Sequence, residues 1–418
     1  MLTDELKTTI QGYFSQLLEN KKLQSRHGQR QMIAEIANTF SSVAVDNEGL
    51  RLESVPAIAV IEAGTGTGKT IAYMVPAIPV AQALGKKLVI ATATVALQEQ
   101  VMFKDIPDLL RNSDMRFSYA LAKGRGRYLC LSKLDNQLRS NSSQLAMQDL
   151  YGMDMEDAVQ PDHALYQEML DALSADEWKG DRDDWPRTLE DAQWRNVSVE
   201  HGQCSGSRCS FFRNCCFFRS RESLQKADCI VANHDLVLAD LSLGGGVILP
   251  APEDTIYIFD EAHHLPVKSI AHFSHNIRLR SSLRWLEQLT AVFLRLQKEA
   301  GSAASINSVI EKAAQAGVEA STRIKQSLPV LEQYAEKAET RNTHNKVSQF
   351  VFTGGVVDLH LRELSHELQM CFSDLHQKVD KLLDIIRNCM ESEGAELDRP
   401  QAELWFPLIG SINTRAQA

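Results

Sequence analysis

The chain has 418 residues, 44% of them hydrophobic, and a net charge of −10. That is ample apolar material for two or three packed domains, and the acidic balance means that any nucleic-acid partner must be met by local basic patches. The opening MLTDELKTTI has no apolar run and is not a signal peptide, and the most apolar stretch, Ile71–Leu84, is broken by Pro76, Pro79 and Gln82, too short to span a bilayer. A soluble, cytoplasmic protein without a membrane partner is expected.

Residues 1–45 read as amphipathic helix, with Leu6, Ile10, Tyr13, Phe14, Leu17 and Leu18 at helical spacing. Ala57–Ile61 (AIAVI), Lys87–Ala91 (KLVIA), Cys229–Ala232 (CIVA) and Thr255–Phe259 (TIYIF) are short apolar runs of the kind that form buried parallel strands. Alternation of such strands with helices implies a doubly wound α/β domain. Residues 149–200 are strongly acidic and read as a solvated insert. From Ser281 to Met390 the patterns are helical. Leu283, Leu286, Leu289, Phe293 and Leu296 mark one face, and a second stripe runs from Leu361 to Ile386, about 40 Å of helix at 1.5 Å per residue.

AIAVI leads into Glu62-Ala63-Gly64-Thr65-Gly66-Thr67-Gly68-Lys69-Thr70. Glycines let successive N–H groups face one phosphate, and the following helix offers its positive end to the same anion. Lys69 is expected to neutralise the β- and γ-phosphates of ATP and the Thr70 hydroxyl to ligate Mg²⁺. Far downstream, TIYIF ends in Asp260-Glu261-Ala262-His263, two carboxylates where α/β sheets bind ligands. Asp260 is expected to hold Mg²⁺, Glu261 to polarise water as general base and His263 to report nucleotide state. Gln29, in Arg26-His27-Gly28-Gln29-Arg30-Gln31-Met32, has an amide able to pair with an adenine edge.

Four of the eight cysteines, Cys204, Cys209, Cys215 and Cys216, fall within residues 204–216. A disulfide framework is not expected in a cytosolic chain of this size, so clustered thiols point to metal. Cys130, closing Lys123-Gly124-Arg125-Gly126-Arg127-Tyr128-Leu129-Cys130, is a fourth candidate ligand. Four thiolates suit zinc or an iron–sulfur cluster, the wide gaps leaning to the cluster, and Cys216 beside Cys215 leaves one ligand open. Cys229, Cys371 and Cys389 read as buried thiols.

Taken together, RHGQRQM, EAGTGTGKT, FDEAHHLP, KGRGRYLC with C-x4-C-x5-C, and Val231-Ala232-Asn233-His234-Asp235-Leu236 resemble, in order, the motifs of the DinG branch of superfamily 2 helicases, relatives of XPD. The resemblance implies a RecA-like P-loop domain in two parts (1–123 and 223–275), an iron–sulfur insert at 124–222, a helical arch-type insert at 276–400 and a return toward the first domain at 401–418. It implies a [4Fe-4S] cluster on Cys130, Cys204, Cys209 and Cys215, and ATP-driven 5′ to 3′ movement on single-stranded DNA with unwinding of forked or looped structures. The family's second lobe, with a Ser-Ala-Thr tripeptide and a QxxGRxxR run, is not found in the sequence; that lobe is then a missing partner, and the 418 residues alone are expected to bind ATP and DNA but to hydrolyse poorly. For the DNA strand the candidates are Lys123, Arg125, Arg127, Tyr128 and Arg213, with Thr94 and Gln98 after the second strand; the phenylalanines around Cys209 and Cys216 are read as core. The rival readings are a non-motor ATP- and DNA-binding module with a cluster or zinc, and a zinc-dependent nucleotide-binding protein with no DNA role.

Overall fold

The computed structural model describes residues 2–43, 57–64, 66–139, 162–274, 277–336, 339–342, 347–350, 352–392 and 395–417. Thr65 and the start of the acidic stretch, 149–161, lie outside the described residues. The chain divides into two compact units, one of residues 1–124 and 218–274, the other of 125–217 and 275–418.

The first unit opens with helix α1 (Asp4–Asn20), whose first turn is closed by the Thr3 hydroxyl accepting the Leu6 N–H at 3.2 Å. Helix α2 (His27–Ser41) and α3 (Lys69–Ala83) follow, then β1 (Lys87–Thr92). Next come α4 (Val95–Gln100), running through a π turn into α5 (Ile106–Asn112), and β2 (Tyr119–Leu121). The chain passes through α6 (Leu131–Arg139), α7 (His163–Ser174), α8 (Asp191–Arg195) and α9 (Cys216–Lys226) before β3 (Cys229–Asn233), α10 (His234–Ser242), β4 (Thr255–Phe259) and α11 (Leu265–Phe273).

The described strands form a parallel sheet in the order β2-β3-β1-β4, with Ile90 level with Val231 and Ile258. Successive residues of β1 point to opposite faces. Leu88 and Ile90 join a core built with α1, α2 and α3, whereas Val89 and Ala91 join Ile230, Ala232, Leu236 and Val237 on the other face. Both faces are covered, which is why Leu88–Ala91 and CIVA are apolar throughout. The sheet, its helices and the glycine-rich loop define a RecA-like α/β domain. Asp240 ties down the loop before β4: its buried carboxylate accepts the backbone N–H groups of Gly246 and Val247, both at 3.0 Å.

Among the described residues one expected strand is not formed. Residues 57–61 have no ladder partner there, and Ile58 and Val60 are 71% and 94% exposed. An apolar run supplies strand propensity, but a strand exists only where a neighbour takes its N–H and C=O groups. β4 lies at the sheet edge, half-buried along its length, and its ladder partner is β1.

In the second unit, α12 (Leu279–Ala300) and α13 (Ala304–Glu336) lead to a short antiparallel hairpin, β5 (Glu339–Asn342) and β6 (Val347–Gln349), and then α14 (Leu359–Cys389) and α15 (Arg399–Gln417). The hairpin is the departure from an entirely helical segment. Leu286, Leu289, Phe293 and Leu296 of α12 are buried with Leu375, Val379, Leu382 and Ile386 of α14, so both stripes are bundle core; the stripe on α14 is fully buried only from Leu375 onward. Residues 401–418, expected to lead back toward the first domain, are almost wholly α15, which belongs to this unit.

The acidic insert is also more than a solvated face. Its described part is built on three tryptophans, with Trp178 edge-on to Trp185 at 4.7 Å and to Trp194 at 6.4 Å. Acidic residues there neutralise arginines, Asp183 pairing with Arg127 and Asp191 with Arg182.

Candidate nucleotide site and cysteine centre

In the first unit the glycine-rich loop turns where Gly66 and Gly68 adopt φ of +76° and +77°, a region that side-chain-bearing residues avoid. Gly68 ends the turn as the residue capping α3, so Lys69 and Thr70 open that helix. The loop is braced from α2: the Gln29 amide donates to the Gly68 carbonyl at 3.3 Å, and the Arg26 guanidinium donates to the Gly66 carbonyl. A methyl group on Gly68 would meet the Gln29 amide nitrogen at 2.6 Å. The candidate adenine reader thus stands against the phosphate loop.

Asp260 and Glu261 follow the C-terminal end of β4. The Asp260 N–H extends the ladder to the Ala91 carbonyl at 2.8 Å, after which Glu261 takes a left-handed backbone, φ +53°. That turn aims the Glu261 carboxylate at Lys69, whose ammonium donates to it at 3.0 Å and to the Ala63 carbonyl at 3.3 Å. His263 Nδ1 lies 3.3 Å from the other Glu261 oxygen. The Asp260 carboxylate accepts the Glu261 N–H at 3.0 Å and the Tyr73 hydroxyl at 3.4 Å. Burial and then the adjacent Glu261 charge raise the Asp260 carboxyl, while the hydrogen bond from Lys69 lowers that of Glu261. The two carboxylates are therefore held in unlike environments. Asp260 is the carboxyl whose charge is disfavoured, and Glu261 the one whose charge is stabilised by Lys69, which also donates to the Ala63 carbonyl of the glycine-rich loop.

Two residues at this site were not singled out for it from the sequence. Tyr73, one turn into α3, is buried, which raises its hydroxyl well above the usual range and keeps it a neutral donor to Asp260. His234 is fully buried, with Nε2 2.9 Å from the Asp260 carbonyl, and burial lowers its imidazole so that the ring is neutral. Position alone gives a signal: Asn233 ends a buried strand and His234 follows it, at the same C-terminal end of the sheet as Asp260.

Thr94 and Gln98 hold the first unit together. The Thr94 hydroxyl accepts the Leu97 N–H and begins α4; Gln98 is buried with its amide donating to the Ala122 carbonyl at 3.2 Å. Lys123 is half-buried near the end of this segment.

In the second unit, Cys130 is set by two bridges to the tryptophan-rich segment, the Leu129 N–H to the Gly180 carbonyl at 2.8 Å and the Cys130 N–H to the Val197 carbonyl at 2.7 Å. Cys204, Cys209 and Cys215 each close a single 3₁₀ turn, their N–H groups donating to the His201, Gly206 and Phe212 carbonyls at 3.3, 3.1 and 3.2 Å. Three such turns in succession account for the wide cysteine gaps. Burial pushes the Cys130 thiol up to about 11, with Cys209 and Cys204 close enough to add to the rise. Cys209 is raised by burial and then by Cys204, Cys215 and Glu403. The Gly206 N–H donates to the Cys204 sulfur at 3.4 Å.

Charge effects thus link Cys130, Cys204, Cys209 and Cys215; Cys216 has a further contact. It is buried against Gly180, where a methyl group would come within 2.4 Å of its sulfur. Thiols that raise one another ionise together only beside a strong positive charge, so this donor set fits a thiolate-ligated metal group. Among the described residues no three such donors stand close enough to hold one metal ion. Cys229 and Cys389 are buried as expected, and Cys371 is half-buried.

Around this centre Tyr128 is buried edge-on to Phe217 at 5.8 Å, and the Arg125 guanidinium lies 4.1 Å over the Phe217 ring. Arg127 is paired with Asp183, and Arg213 is exposed. Phe217 is core, as read from the sequence. Among the described residues no helix is long and apolar enough to cross a membrane.

Residues 26–141 match the DEAD/DEAH box helicase family model and residues 191–282 match the DEAD_2 model. The two models cover separate stretches of the chain, one holding the glycine-rich loop and the other Asp260 and Glu261. It is similar to the ATP-dependent DNA helicase DinG of Photobacterium profundum, 40% identical over 299 residues that make up 71% of this chain and 41% of that protein. The DinG proteins of Salmonella typhimurium and Escherichia coli K12 are 36% and 35% identical, again over 71% of this chain and 38% of theirs. The matched stretch therefore spans about two fifths of the length of these relatives.

Proposed function

We propose that the chain supplies the ATP site and part of the DNA track of an ATP-dependent DNA helicase of the DinG kind, moving 5′ to 3′ on single strands and opening forked or looped duplexes. The observation that supports this most is the meeting of Lys69 with Glu261 beside Asp260, at the mouth of the glycine-rich loop. ATP would enter with its phosphates over the N–H groups of Gly66–Thr70 and its base toward Gln29. Lys69 would leave Glu261 for the phosphates; freed of the ammonium, Glu261 becomes more basic and can orient and deprotonate the attacking water. Thr70 and Asp260 would hold Mg²⁺, which supplies charge neutralisation at the phosphates.

Cys130, Cys204, Cys209 and Cys215 would hold a [4Fe-4S] cluster. Cluster over zinc is favoured by the wide gaps between the cysteines and by the protein's likeness to DinG. For DNA, Arg125 and Arg213 of the second unit are the proposed phosphate contacts. Lys123 and Thr94 are proposed contacts of the first unit. Tyr128, Arg127 and Gln98 hold their neighbours in place.

Titration of a labelled oligothymidylate at several salt concentrations tests the DNA side. Binding is expected to weaken linearly in log–log form, and Arg125→Ala with Arg213→Ala to flatten the slope by about 1.4, two phosphates at ~0.7 each. An unchanged slope removes these two arginines from the track, and an absence of binding in the unaltered chain removes the helicase reading.

A further inference from the structure

The segment Val231–Leu236 is set apart by its place. β3 ends at Asn233, level with Thr92 of β1, and the Asn233 side chain accepts the Leu236 N–H at 2.8 Å, starting α10 one residue later. That cap fixes His234 as the first residue of the helix and turns its ring inward. The ring is fully buried, edge-on to Phe259 at 5.8 Å, with Nε2 2.9 Å from the Asp260 carbonyl oxygen. A carbonyl only accepts, so Nε2 carries the proton and donates. Nδ1 then has no proton, and among the described residues it has no hydrogen-bond partner.

The Asp260 peptide is thereby held from both sides, its N–H by the Ala91 carbonyl at 2.8 Å and its carbonyl by His234. The next residue, Glu261, adopts the left-handed backbone that side-chain-bearing residues populate only when their surroundings enforce it. A rotation of the Asp260–Glu261 peptide would swing both carboxylates. The Asp260 oxygens would leave Tyr73 and the Glu261 N–H, and Glu261 would leave Lys69.

We infer that His234 is a positioning residue for nucleotide binding: its Nε2–H clamps the Asp260 carbonyl and so fixes the direction in which the Asp260 and Glu261 carboxylates face the phosphate loop. The inference rests on the reading of Asp260 as a holder of Mg²⁺ with ATP. A histidine that only fills space would be replaced as well by any side chain of its size; a clamp needs a donor at the position of Nε2. Glutamine places an amide N–H near that position, whereas methionine has similar bulk and no donor.

The test uses the full 418-residue chain, a fluorescent ATP analogue, and titrations in Mg²⁺ and in EDTA, with thermal melting to confirm folding. In the unaltered chain Mg²⁺ is expected to tighten binding. His234→Met is expected to weaken binding in Mg²⁺ roughly tenfold, the scale of one lost buried hydrogen bond, with affinity in EDTA unchanged. His234→Gln is expected to restore the Mg²⁺ gain to within about threefold. Should the methionine variant fail to fold, His234→Asn, whose shorter amide cannot span to the carbonyl, takes its place with the same expected values. A methionine or asparagine variant that keeps the full Mg²⁺ gain overturns the inference, as does a glutamine variant no better than methionine. Failure of the unaltered chain to bind nucleotide, or to respond to Mg²⁺, overturns the parent reading together with this one and is visible before any variant is made.

Discussion

Glu261→Gln is expected to lower ATP turnover by about 10²- to 10⁴-fold, the range a positioned general base supplies, with nucleotide affinity equal or up to a few-fold tighter. The two halves of that expectation come from one contact. Lys69 donates to Glu261 at 3.0 Å, and both side chains are about a quarter to a third exposed, so the pair is worth at most about 1 kcal/mol. Neutral glutamine releases Lys69 to the phosphates at little cost and removes the proton acceptor altogether. Single-turnover phosphate release with protein in excess measures even slow hydrolysis, and analogue titration gives the affinity. A variant that hydrolyses at the unaltered rate would move the base elsewhere; one that loses binding would make Glu261 part of the nucleotide's own hold.

Gly410→Ala is expected to disable the cysteine centre from a distance. Gly410 lies inside α15, where glycine costs about 1 kcal/mol relative to alanine, so its presence needs a reason of contact. The reason is the turn before Cys204. A methyl group on Gly410 would stand 2.0 Å from the Gly202 carbonyl oxygen, and one on Gly202 would stand 2.1 Å from the Thr414 hydroxyl. The obstacle at Gly410 is backbone, which cannot rotate aside. Further along α15, Glu403 accepts from Ser210 at 2.9 Å and Arg399 donates to the Arg208 carbonyl at 3.3 Å. The first two cysteine turns and Ser210, just after Cys209, are thus built against this helix, and pushing it off displaces them. We expect a loss of about 3 kcal/mol or more, a melting point lower by roughly 6–12 °C, and reduced metal content. Gly317→Ala in α13, where an added methyl meets nothing within 4 Å, is the control and is expected to be neutral or stabilising. Equal melting points and metal content for the Gly410 variant and the parent would show that α15 does not brace the centre.

The site was legible in the sequence where its chemistry is local. Gly66, Gly68 and Lys69 are adjacent, and their glycines are needed for turns that the structure shows at positive φ. Asp260 was legible because an apolar strand immediately precedes it. What could not be read depends on neighbours remote in sequence. AIAVI has the propensity of a strand, but pairing is a property of two segments, and the described residues give it no partner. Gln98 reads as an outward polar residue, yet its amide satisfies the Ala122 carbonyl inside the first unit. Cys215 and Cys216 differ by one position, too little for spacing to separate; Gly180, at φ +83°, opens the space that takes Cys216 inward. The acidic composition of the insert concealed its tryptophan core, although Trp178, Trp185 and Trp194 in so short a stretch were a signal of packing. His234 stood in a motif with no assigned chemistry, and only the fold brings it under Asp260.

The claim that one chain joins an ATP site to an iron–sulfur centre is tested most directly by anaerobic purification, an absorbance scan from about 300 to 700 nm, and assays of iron and zinc. A broad band near ~400 nm with about four irons per chain is the expected result for a cubane on four cysteines. A colourless protein with one zinc per chain would contradict it, leaving a P-loop nucleotide site beside a structural metal.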